Sequence, residues 1–99
     1  MILDTFEKQP RERKDYDVDF SPWLPVDDSL DEVVVIVECL TDPSDTSLVC
    51  EPDPPITVSA VKLWMKGGTD GNKYKATLLT TTVVGRLDES EVIFKVVNR

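Results

Sequence analysis

Val58-Ser59-Ala60-Val61-Lys62-Leu63-Trp64-Met65, followed by Gly67-Gly68-Thr69-Asp70-Gly71-Asn72-Lys73-Tyr74, reads as a strand, a glycine-rich corner and the start of a second strand. Val61, Leu63 and Met65 alternate with Ala60, Lys62 and Trp64, the period of two that sends successive side chains to opposite faces of a sheet. Either set can form the core face. The glycines allow positive φ in the corner at no steric cost. No helix follows them, so they do not form a phosphate-binding loop, which needs a strand, spaced glycines and a helix N-terminus.

Working outward, Tyr74, Ala76, Leu78 and Thr80 alternate with Lys73, Lys75, Thr77 and Leu79. Gly85-Arg86 is a hairpin turn, and Val92, Phe94 and Val96 face inward on the last strand, with Ile93, Lys95 and Val97 outward. Toward the N-terminus, Glu51-Pro52-Asp53-Pro54-Pro55 ends a short strand within Ser47–Cys50. Val33-Val34-Val35-Ile36-Val37 is β-branched and apolar on both faces, which predicts a central strand running to about Leu40. Tyr16, Val18 and Phe20 alternate with Asp15, Asp17 and Asp19 in a strand over 14–21, after which Pro22 and Pro25 turn Trp23 and Leu24 over the open end of the core. The pattern predicts an all-β, immunoglobulin-like antiparallel β-sandwich of about six to seven strands, a single domain over residues 14–99. In such sandwiches a tyrosine at this place bonds back to the corner backbone, making Gly67, Gly68, Asp70, Gly71 and Tyr74 the candidate structural corner. Residues 1–13 show no sustained period and are expected to be a flexible N-terminal arm, either frayed or ordered against a neighbouring subunit. Ile2, Leu3, Phe6 and Trp23 are candidate partner contacts; core or lid is the commoner role for a tryptophan such as Trp23 or Trp64, and an exposed one is a candidate anchor for a partner.

The chain of 99 residues has a formal net charge of −8 and no histidine. Lacking histidine, it has neither the commonest general base near neutral pH nor most metal and triad arrangements. No catalytic residue, cofactor site or metal site is expected. Asp27, Asp28, Asp31 and Glu32 offer oxygens to Ca²⁺, but their spacing is not that of an EF-hand loop and an acidic turn accounts for them. Cys39 and Cys50 read as reduced thiols or as a cross-strand pair; two thiols without histidine do not complete a zinc site. From Asp15 to Val61 there are twelve acidic residues and no Lys or Arg, a field unsuited to nucleic acid and either simply solvated or steering a basic partner. No apolar stretch is long enough to span a membrane, and Met1–Lys8 has no secretory pattern, so the chain is expected to stay in the cytoplasm of the cell that makes it.

Three motifs together carry a family resemblance: Asp15-Tyr16-Asp17-Val18-Asp19-Phe20-Ser21-Pro22-Trp23-Leu24, then Leu63-Trp64-Met65-Lys66-Gly67-Gly68-Thr69-Asp70-Gly71-Asn72-Lys73-Tyr74, then Gly85-Arg86-Leu87-Asp88. In this order they resemble small virion proteins of tailed bacteriophages, above all the fiber-tail adaptor group, over roughly residues 14–97. The resemblance implies a non-enzymatic virion component that links the portal or tail complex to fibers. Its implied partners are other virion proteins, of portal, neck, tail or fiber, in a symmetric assembly without nucleic acid or membrane. Host synthesis in a bacterial cytoplasm and a final place in the virion follow from the same likeness. The alternatives are a capsid decoration protein and an acidic intracellular host-binding module. Pro25, Cys39, Cys50 and Asp53-Pro54-Pro55 depart from the family pattern.

Overall fold

The computed structural model describes residues 2–99. Seven strands follow in chain order: β1 (Ile2–Lys8), β2 (Arg13–Asp19), β3 (Leu30–Cys39), β4 (Val49–Cys50), β5 (Ala60–Lys66), β6 (Lys73–Thr82) and β7 (Leu87–Val96). They form a four-stranded sheet, β1-β7-β6-β3, and a three-stranded sheet, β2-β5-β4. Among the described residues there is no helix. The two sheets sandwich a core to which Val61, Leu63 and Met65 of β5, Tyr74, Ala76 and Leu78 of β6, and Val92, Phe94 and Val96 of β7 all contribute buried side chains. The core face of β5, open on sequence grounds, is therefore the Val61-Leu63-Met65 face, and Lys62 and Trp64 stand on the other. Strands β2, β5 and β4 take the places of B, E and D in an immunoglobulin sandwich, and β3, β6 and β7 those of C, F and G.

Two expectations change. Residues 2–8, expected within a flexible arm, form β1, which pairs with β7 in parallel from Ile2↔Glu91 to Lys8↔Val96. The sandwich is thus not wholly antiparallel. The short strand is held by its partner's register and by Phe6, whose ring lies 4.9 Å from that of Tyr16 and 5.5 Å from that of Phe94. Its mixed charge gives no alternation because only a few of its side chains are turned inward.

The valine-rich β3 is not central but an edge strand, bonded only to β6. Val33, Val35 and Val37 are partly buried against the core, while Val34 and Ile36 are 56% and 52% exposed. Apolar side chains on both faces predict burial of both. The chain itself covers only one.

Candidate functional site

The glycine corner joins segments distant in sequence. Gly67 (φ +81°) and Gly68 (φ +101°) let the chain leave β5 and pass close to Ser47, whose carbonyl accepts from Gly68 N–H at 3.2 Å. Gly71 N–H donates to Val96 O at 2.8 Å, and Asp70 Oδ1 accepts from Asn98 N–H at 2.9 Å, so the corner also grips the end of β7. Lys8 is buried at the end of β1. Its ammonium donates to Gly67 O at 2.7 Å and Gln9 O at 2.8 Å, and burial lowers its pKa.

Tyr74, the second residue of β6, sits beneath this corner. Its hydroxyl accepts from Thr69 N–H at 2.8 Å, donates to the Asp45 carboxylate and lies 3.3 Å from Ser47 Oγ. Asp45 also accepts from Ser47 N–H and from Asn72 Nδ2, each at 2.8 Å. Hydrogen bonds from Ser47, then Tyr74, and then Asn72 hold the Asp45 carboxyl below the ordinary carboxylate range. A second carboxylate, Asp28, has a side chain with no exposed surface and pairs with Arg86 at 2.6 Å. Burial pushes its pKa up, but hydrogen bonds from Thr82, Arg86 and the backbone outweigh this and bring it to about 2. These networks bind turns to strands.

A consequence can be measured. Tyr74→Phe removes the acceptor for Thr69 N–H and a donor to Asp45, and is expected to lower stability at pH 7 by about 1–3 kcal/mol. Because the folded pKa of Asp45 lies below its ordinary 3.8, the carboxylate's contribution is full above that value and is lost as pH falls through and below it. Urea melts should therefore show a gap between wild type and Tyr74→Phe that is constant from pH 7 to about pH 4 and narrows only as the pH is lowered further to about 2, toward the folded-state titration of Asp45. A gap that does not change with pH would mean that Asp45 takes no share in the tyrosine's effect.

The candidate partner contacts separate into different environments. Leu3 and Trp23 come together with Phe20 and Pro22 around an apolar cleft of about 280 Å³ at one end of the sandwich, with Asp19 and Ser90 at its margin. Phe6 is turned into the aromatic cluster with Tyr16 and Phe94. Ile2 is 59% exposed. Trp64 lies on the outer face of β5 under the Arg13 guanidinium, 4.3 Å from the ring centroid. Cys39 and Cys50 are free thiols, and burial, with a smaller push from Glu51, raises the Cys50 pKa to about 11. Among the described residues no group of three or more potential ligands is placed to hold a metal ion. No helix there is long and apolar enough to cross a membrane.

The acidic stretch is unevenly neutralised. Lys62 reaches Asp15 at 2.9 Å and Asp17 at 3.0 Å, and Lys75 reaches Glu38 at 3.0 Å. Asp31, Glu32 and Asp53 have no cationic partner among the described residues, and all three line one groove beside β3. Sequence reasoning missed Lys8, Asp45 and the exposed pair Val34 and Ile36. The first two lie 59 and 29 residues from the corner groups they bind, a separation no local pattern spans.

A protein-family model described as "Podophage GP4 fiber-tail adaptor protein gp77" matches residues 8–95. No curated protein matches the sequence.

Proposed function

The chain belongs to this podophage fiber-tail adaptor family, and on that premise we propose that it is a non-enzymatic virion protein joining the portal or tail complex to the fibers. The observation that carries the reading is the extent of the family match, from the last residue of β1 almost to the end of β7. It takes in both sheets and the corner rather than a single turn. An adaptor needs a rigid body and separate surfaces for two partners. The ties at Tyr74 and Asp28 support the first requirement, and the apolar cleft at Leu3 and Trp23, together with the open edge of β3, offers the second.

The test is made on particles. Phage lacking the gene should assemble heads and tails without fibers, and quantitative mass spectrometry of wild-type particles should find about six or twelve copies, the numbers a symmetric ring requires. On the order of hundreds of copies would indicate a capsid lattice, and fibers retained without the gene would overturn the adaptor reading.

A further inference from the structure

Strand β3 has the composition of an interior strand and the position of an edge. Leu40 N–H donates to Lys73 O at 2.7 Å, and Cys39 pairs with Tyr74 in the adjoining ladder. In an antiparallel ladder the bonding direction alternates from residue to residue. Glu38, Ile36 and Val34 therefore direct their backbone groups to β6, and Val37, Val35 and Val33 direct theirs to the open side. Among the described residues no backbone hydrogen bond meets those groups. Edges are commonly blunted by proline, lysine or inward-pointing charge, and β3 has none of these between Val33 and Val37.

The surroundings of this edge have a definite character. On the solvent face Val34 pairs with Leu79, which is 36% exposed, and Ile36 with Thr77, leaving an apolar strip. Along the edge runs the groove shared by Asp31, Glu32, Val33 and Asp53, whose three carboxylates have no cationic partner among the described residues. A second copy of the chain is a poor occupant: antiparallel pairing of two β3 strands centred on Val35 would set Glu32 of each copy opposite Glu38 of the other, like charges directly across the ladder, on molecules that each carry a formal net charge of −8.

We propose that the open edge of β3 is a strand-addition site for an extended segment of another virion protein in which basic and apolar side chains alternate. Its backbone continues the sheet at Val33, Val35 and Val37. Its apolar side chains extend the strip at Val34 and Ile36, and its Lys or Arg side chains reach Asp31, Glu32 and Asp53. Main-chain bonds supply affinity and the charges supply choice of partner. This rests on the adaptor reading and identifies the chemistry of one of the adaptor's two attachments.

The first test uses the full chain, labelled with ¹⁵N, and two synthetic peptides of about eight residues, one alternating Lys with Val and the other Glu with Val. The Lys peptide should shift and protect the amides of Val33, Val35 and Val37, and the Glu peptide should not. Neutralising the groove with Asp31→Asn, Glu32→Gln and Asp53→Asn should weaken binding by about fivefold to tenfold, as for a few exposed charge pairs. Equal response to both peptides, shifts confined to other strands, or concentration-dependent shifts of β3 without peptide would overturn the proposal, the last by making a second copy the occupant.

The second test separates this proposal from the reading beneath it. Val35→Pro removes an N–H on the open side without taking one from the β6 ladder, a position an edge strand tolerates. Phage carrying it should lose fibers as completely as phage lacking the gene; if the proline variant fails to fold, phage carrying the neutralised groove should carry fewer fibers than wild type. Full fiber occupancy in a folded edge variant, with fibers lost on deletion, would overturn the strand-addition site and leave the adaptor standing. Fibers retained on deletion would overturn the adaptor itself.

Discussion

Gly67→Ala is expected to lower the unfolding free energy by roughly 3 kcal/mol or more, a large share of what a domain of this size possesses. Two separate effects add. At φ +81° an L residue with a Cβ is strained, by about 1–2 kcal/mol. The new methyl group would also stand 2.1 Å from the Ser47 carbonyl oxygen, a backbone atom with no rotamer by which to escape. Moving Ser47 away breaks its bond from Gly68 and drags Leu48, a buried core residue, while moving residue 67 loosens the carbonyl that Lys8 holds. Gly71 is the internal control: its φ is +87°, but a Cβ there meets nothing within 4 Å. Gly71→Ala should show the conformational strain alone, about 1–2 kcal/mol. Paired urea melts check the difference, and equal losses in the two variants would mean that the approach to Ser47 costs nothing.

How much was legible follows the physics of each element. Strands β2, β5, β6 and β7 each present one face to the core and the other to solvent or the opposite environment, so polar and apolar residues alternate and the strands can be read directly. The corner was legible because three of its five residues are glycines, whose backbone freedom is a local property. Asp45 was not, since nothing in Thr41-Asp42-Pro43-Ser44-Asp45 distinguishes the carboxylate that meets Tyr74 from the one that caps its own turn; Asp42 bonds Ser44 instead. Strand β3 was misplaced for a different reason. Apolar side chains on both faces report what the sequence is suited to bury, not what this chain alone buries, and for an assembling protein the two differ. Strand β1 escaped because its signal is non-local: the parallel pairing with β7 joins opposite ends of the chain, and its inward anchors, Phe6 and Lys8, are too few to make a pattern.

Removal of residues 1–8 distinguishes an arm from a strand most sharply, and is expected to cost roughly 4–6 kcal/mol. Loss of Phe6 from its contacts with Tyr16 and Phe94 corresponds to a large-to-small change in a partly buried aromatic cluster, about 2–3 kcal/mol. Loss of Lys8 leaves Gly67 O without its donor where the corner is tightest, a further 1–3 kcal/mol. The deletion also strips the outer side of β7, baring backbone groups next to Val92, Phe94 and Val96, which are fully buried in the intact protein. At about 0.05–0.15 kcal/mol per residue the whole domain has only about 5–15 kcal/mol. Toward the low end of that range the deletion leaves a large unfolded fraction at 37 °C, which the new edge exposes to aggregation. Phe6→Ala in the full chain should account for about half of the loss. The two variants compared by chemical denaturation decide the matter, because a frayed arm could be cut without moving the midpoint, whereas a strand that supplies a ring to the core and an ammonium to the corner cannot.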